Sequence, residues 1–161
     1  VPYKILSSIL NKRLVTHLDS WMAPEQHGFI KGRLIQGAIR VVQEMVTGIN
    51  NRSFGGNLVV KLDMSKAYDR VEWGFILIVL TFMGFLRCTS DLLFRCFSSS
   101  WIATYFMGKQ FGFFKTCRGL RQGDPLSPTI FILSQNVFSC FINQGLSMGK
   151  VLPYQNRDAT R

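Results

Sequence analysis

Apolar residues recur every three or four positions at the start of the chain. Ile5, Leu6, Ile9, Leu10, Leu14 and Leu18 fall on one side, with Lys4, Asn11, Lys12 and Arg13 largely on the other, so the spacing predicts an amphipathic helix over residues 3–18. Pro24, Gly28 and Gly32 break the period, and residues 19–33 read as a loop or extended connection. A second helix is predicted from Leu34 to Ile49, with Ile35, Ile39, Val42, Met45, Val46 and Ile49 as its apolar face. Asn50 to Asn57, containing Gly55 and Gly56, links it to a β-forming run, Leu58, Val59, Val60 and Leu62, predicted as a buried strand.

The period returns to helical from Trp73 to Leu86, ending at Gly84, but Ile76, Ile78 and Phe82 make this helix apolar on nearly every side. Such a helix is either covered by another part of a larger protein or belongs to a copy that has drifted without selection on solubility. Asp91 to Phe97 predicts a further helix. Trp101 to Phe106 and Phe111 to Lys115 predict a β-hairpin around Met107-Gly108-Lys109-Gln110. Its aromatics are candidates for stacking on bases, although alternating Phe and Tyr are more commonly core. The last helix is expected from Pro128 to Asn143, carrying Ile130, Phe131, Leu133, Val137, Phe138, Phe141 and Ile142. Ser127 is the expected N-cap, Pro128 the first helical residue and Gly145 the stop.

Composition narrows the class. With 161 residues, 47% of them hydrophobic, the chain has enough apolar surface for one core and gives no case for two domains. Nineteen Lys and Arg against nine Asp and Glu leave a net charge of +10. The excess is spread over both halves, as suits a polyanion laid across the domain, or simply a solvated basic surface. Cys88, Cys96, Cys117 and Cys140 have no CxxC spacing and only His17 and His27 as companions, so they read as reduced core residues of an intracellular protein. Lys4 and Lys12-Arg13 interrupt any apolar leader, and the longest apolar run, residues 75–86, is too short to span a bilayer.

The chemistry concentrates in residues 58–73, LVVKLDMSKAYDRVEW. An apolar run ending at Asp63 delivers a carboxylate to the tip of a strand, and the small or polar residues after it suit a tight turn whose N–H groups can meet phosphate oxygens. A metal-bound carboxylate beside a phosphate cradle is the local equipment of phosphoryl transfer. Spacing alone favours the plainer reading, an Asp that caps the following turn. A second block, GLRQGDPLSP at residues 119–128, changes that balance.

Together and in this order, LDMSKAYDRVEW and GLRQGDPLSP closely resemble the reverse transcriptase of LINE-type (non-LTR) retrotransposons, particularly those of plants. The resemblance implies an α+β fold, an incomplete right-hand polymerase of fingers and palm with helices packed on a small antiparallel sheet. Residues 1–57 would be fingers-like and residues 58–161 palm-like. It implies an RNA-directed DNA polymerase that joins a primer 3′-hydroxyl to the α-phosphate of a deoxynucleotide with two Mg2+ ions. The implied partners are an RNA template, a DNA primer and deoxynucleoside triphosphates, with no membrane, in the nucleus or cytoplasm.

Site residues follow from the same resemblance. Asp63 would be the first metal ligand, with the Met64 carbonyl beside it. Backbone N–H groups of Ser65, Lys66, Ala67 and Tyr68 would face the β- and γ-phosphates, and the Tyr68 ring would lie under the sugar. Gln122 would contact the incoming nucleotide or templating pair, with Arg121, Gly123 and Pro125 holding the template. QHGFIKGR resembles the family's QSAFVPGR, which makes Arg33 a contact to triphosphate or template backbone or, equally, a surface arginine; Lys31 stands where proline is usual. Asp69 and Arg70 are expected to pair locally, and Asp124 to satisfy N–H groups near the last helix.

One departure is serious. The family's aromatic-Ala-Asp-Asp block, which supplies the other metal-binding carboxylates, is absent from residues 129–161, and Asp158-Ala159 does not replace it. The Arg-Pro-Ile region usual upstream of the YKI at residues 3–5 is absent too. The chain is therefore expected to be inactive by itself, lacking that hairpin and a thumb. The competing reading is a non-catalytic remnant or a domesticated RNA-binding module.

Overall fold

The computed structural model describes residues 2–50 and 56–154. The chain runs as α1 (Pro2–Trp21), α2 (Ile35–Thr47), the single turn α3 (Ala67–Arg70), α4 (Trp73–Phe82), α5 (Arg87–Ser98), β1 (Trp101–Phe106), β2 (Lys109–Lys115) and α6 (Ser127–Ser147). Most of the 50–57 link and Asp158-Ala159 lie outside the described residues. Helices and one small antiparallel sheet are both present, as an α+β chain requires. The helices pack on one another, however, and not on the sheet: Leu14 and Leu18 of α1, Ile76 and Leu80 of α4, Leu93 and Phe97 of α5, and Ile130 and Leu133 of α6 share one buried cluster. That core joins residues from both sides of position 57.

Several elements differ from their expected form. Residues 58–62 are not a strand but an exposed extended segment, with Leu58 86% accessible. A strand is held by its ladder, and the β1–β2 hairpin is the only sheet among the described residues, so this run has nothing to pair with. The helix α2 forms, yet buries none of its residues. Along α1 the covered positions are Ser7, Leu14 and Leu18, while Ile5, Leu6 and Ile9 face outward. Around α4, Ile76, Val79 and Leu80 are buried; Phe75, Ile78 and Phe82 are exposed and line, with Phe141 of α6, an apolar groove of about 620 Å3. Of the four cysteines only Cys96 is a core residue.

Both faces of the hairpin are open, so its aromatics are not core. Met107 and Gly108 form the turn with φ of 49° and 72°, the two left-handed residues that a type I′ connection demands. At the start of α6, Ser127 lies inside the helix and Leu126 occupies the capping position. The cap is supplied by Asp124, whose carboxylate accepts the Leu126 N–H at 3.0 Å. The helix then runs through Gly145 to Ser147, and Gly149, with φ of +68°, turns the chain just beyond its cap. Gly145 serves a different purpose: a Cβ there would sit 3.2 Å from Val151, which folds back over it.

Candidate polymerase site

The first motif block closes on itself. Lys66 is left-handed, with φ of 51°, and its carbonyl accepts the N–H of Asp69 at 3.0 Å and of Arg70 at 3.1 Å, which winds the turn α3. Tyr68 is thereby aimed inward, stacked on Phe131 of α6 with ring centroids 4.9 Å apart and 15° between planes. Burial pushes its hydroxyl pKa up. Asp69 and Arg70 do not pair. Adjacent helical residues point about 100° apart, and the ion pairs among the described residues are Arg33–Asp19 at 2.8 Å and Arg118–Glu72 at 3.7 Å.

The second block is fastened to the first by main chain. The Gly119 N–H donates to the Val71 carbonyl at 2.8 Å and the Leu120 N–H to the Tyr68 carbonyl at 2.8 Å. The Trp73 indole N–H donates to the Gly119 carbonyl at 2.7 Å. Only glycine fits position 119: φ is +86°, and a Cβ would stand 3.0 Å from the Asp69 carbonyl oxygen. Two stretches about fifty residues apart in sequence thus form one structural unit.

Beside this clasp lies an open groove of about 630 Å3, walled by Asp69, Ser100, Trp101, Thr116, Arg118 and Gln122, among others. Gln122 is an exposed wall of it, the next residue, Gly123, is exposed, and Pro125 is half-buried. Arg121 points back into the protein, its Nε donating to Ser100 Oγ and its guanidinium 4.5 Å from the centre of the Tyr3 ring. Asp124 is buried and accepts hydrogen bonds from Tyr3 Oη and Ser7 Oγ as well as from the Leu126 N–H. Burial first, then the hydrogen bond to Asp124 and its charge, drives the Tyr3 pKa far above its ordinary value. Burial also raises the Cys96 thiol, with the Asp124 charge adding to it and Arg121 opposing.

The expected residues are therefore only partly assembled. Tyr68 meets Gly119 and Leu120, and Asp69 shares a groove with Gln122. Asp63 and Met64 are exposed on the unpaired segment, and neither they nor Ser65, Lys66 and Ala67 are walls of that groove. Arg33 is committed to its own loop: Nε bonds the Asp19 carboxylate at 2.8 Å, while Nη1 donates to the carbonyls of Ala23 at 2.6 Å and Gln26 at 2.7 Å. Nη2 donates to the Asp19 carbonyl at 3.0 Å. Among the described residues no three His, Cys, Asp or Glu side chains converge. A lone exposed carboxylate with a neighbouring carbonyl does not fit a two-Mg2+ centre, which needs several oxygen ligands at close range.

Tyr3, Ser7 and Ser100 are the polar partners that the sequence did not reveal. Tyr3 and Ser7 are four residues apart, hence on one helical face, but nothing local names a partner more than a hundred residues away. No described helix is long and apolar enough to cross a membrane.

The chain is similar in sequence to proteins of known retroelements. The chain is 27% identical over 153 residues to the 149 kDa protein of transposon TX1 from Xenopus laevis, covering 90% of this chain and 11% of that protein. It is 30% identical over 130 residues to the retrovirus-related Pol polyprotein from the type-1 retrotransposable element R2 of Popillia japonica, covering 80% of this chain and 18% of that one. For the corresponding type-2 element R2DM of Drosophila melanogaster the identity is 28% over 131 residues, 80% of this chain and 12% of that protein. The chain thus spans less than a fifth of the length of each. Residues 1–152 match the reverse transcriptase (RNA-dependent DNA polymerase) family, and the chain belongs to that family.

Proposed function

We propose that the chain is the portion of a non-LTR retroelement RNA-directed DNA polymerase that receives the incoming deoxynucleotide and the templating strand. The observation that carries this reading is the main-chain clasp between the two motif blocks, Gly119 to Val71 and Leu120 to Tyr68. It sets Tyr68 and the Gln122 loop on one unit, as a site for a nucleotide opposite a template requires. Residues 1–57 correspond on this reading to fingers and residues 58–161 to part of a palm. The plant affinity rests on the two motif blocks. The RNA template, the DNA primer and the triphosphates are the partners, inside the cell.

Within that frame Asp63, with the Met64 carbonyl, would supply one part of a Mg2+ site that residues 1–161 do not complete, and the backbone of Ser65, Lys66 and Ala67 would lie along the triphosphate. Tyr68 sits under the sugar, and Arg121, Gly123 and Pro125 shape the loop against the template. Arg33 would reach a phosphate only after releasing its loop. The remaining metal ligands belong to an aromatic-Ala-Asp-Asp block that residues 1–161 do not contain. By itself, then, the chain extends no primer.

The test is primer extension on an RNA template by a polypeptide that joins this chain to such a block. Asp63→Asn is expected to cut synthesis at least a thousandfold while template affinity stays within twofold; on the order of 4 kcal/mol of transition-state stabilisation is at stake when a metal ligand is lost. Synthesis near the parent rate removes Asp63 from the site. In the same assay Tyr68→Val should raise ribonucleotide incorporation, and unchanged sugar discrimination removes Tyr68.

A further inference from the structure

From the open hairpin we infer that one face of it is a stacking platform for single-stranded nucleic acid, continuing the path of the template away from the Gln122 groove. The inference rests on the polymerase reading for the identity of that strand. The platform itself is read from the hairpin. Trp101, Tyr105 and Phe113 are 60%, 75% and 69% exposed, on a two-stranded sheet that none of the described helices covers. Aromatic rings left in water on a strand are costly unless something is stacked on them.

Register decides which rings act together. Trp101 is opposite Lys115, and its ring lies 6.2 Å from that of Phe113, so these three share a face. Tyr105 follows Trp101 by four residues on the same strand, hence on that face and about 13 Å further along it. That separation is about two steps of an extended polynucleotide. An extra residue in β2 marks an irregularity where the pairing shifts from Ile102–Phe114 to Thr104–Phe111. Gly112, with φ of +67°, absorbs it and lets Phe113 turn to the Trp101 side. Phe106 and Phe111, with rings 6.5 Å apart, occupy the opposite face.

Charge selects the occupant. Residues 92–123 contain Arg95, Lys109, Lys115, Arg118 and Arg121 and not one Asp or Glu. Of these, Lys115 stands on the platform face and Arg118, 3.7 Å from Glu72, at its base, whereas Arg121 turns inward and Lys109 lies on the Phe106 side. Cations at one face with no acid in the hairpin suit a phosphate backbone. Continuity gives direction: Trp101, Thr116 and Arg118 belong both to the base of the hairpin and to the groove that holds Gln122. Bases leaving that groove would pass onto Trp101 and Phe113, then Tyr105, with Lys115 beside their phosphates. The exposed rings accept any base, since each presents a π-face, so the platform adds affinity without sequence preference.

Fluorescence anisotropy of a labelled single-stranded RNA with the whole chain tests this. The double variant Trp101→Leu with Phe113→Leu should weaken binding tenfold or more while the dependence on salt keeps its slope. Lys115→Gln should lower that slope by about one. The pair Phe106→Leu with Phe111→Leu, on the other face, should leave affinity within twofold. Circular dichroism of each variant checks that the fold is intact. If the Trp101/Phe113 variant binds like the parent while Gln122→Ala weakens binding, the platform is wrong and the polymerase reading stands. If the parent has no affinity for RNA, both fall. If the Trp101/Phe113 variant changes only the sedimentation of the protein, from dimer to monomer, the face is a contact between copies and the inference is overturned.

Discussion

At Gly119 a single missing atom holds the two motif blocks together. Its left-handed backbone and the Asp69 carbonyl 3.0 Å from where a Cβ would stand are separate penalties. Gly119→Ala should therefore cost about 2–3 kcal/mol in urea denaturation, whereas Gly123→Ala should cost only about 1 kcal/mol. Gly123 has the same handedness but open space around it. Equal losses would mean that the close approach carries no weight. The sequence marked both glycines as turn residues; the contact that distinguishes them is made by residue 69. Arg33 teaches the converse. A guanidinium suits phosphate, but it suits carbonyl oxygens equally, and a loop that brings several of those within reach satisfies it first.

At the scale of elements, the longer helices were legible because their period is written along the chain, although their ends were less so: α5 starts at Arg87, ahead of the expected Asp91, and α6 runs past Gly145 to Ser147. The strand expected at residues 58–62 did not form, because β-propensity describes a fit to neighbours that are absent among the described residues. The hairpin was legible in position, since its partner strand is adjacent and its turn short. Its turn residue is poorly suited: Met107 adopts φ of 49°, where a Cβ and a long side chain crowd the following carbonyl. Met107→Asn should stabilise the hairpin by about 0.5–1 kcal/mol, read as slower amide exchange at Phe106 and Lys109, the pair that closes the turn. Unchanged exchange would show that strand pairing, not the turn, limits its opening.

For the whole molecule, one core of α1, α4, α5 and α6 sits beneath a surface that is both basic and apolar. The face of α2, the outer side of α4, residues 58–62 and the hairpin all leave large hydrophobic residues in water. The net charge of +10 keeps copies apart by repulsion. Salt shortens the reach of that repulsion, from about 30 Å at 0.01 M to about 10 Å at 0.1 M, and leaves the apolar patches as they are. Light scattering should therefore show the chain associating as salt rises through this range. Association that weakens with salt would instead place ionic contacts between the copies.

Local order in the sequence was enough to establish the helices, the hairpin, the basic balance and the two blocks that make the chain a reverse transcriptase relative, since each of these is a property of neighbouring residues. Tertiary structure alone decided that the blocks clasp through Gly119, that Asp124 is shared by Tyr3, Ser7 and the start of α6, and that Arg33 turns inward. It also decided which apolar faces found a partner. Those outcomes depend on groups far apart in the chain meeting in space, and spacing along a sequence carries no measure of that.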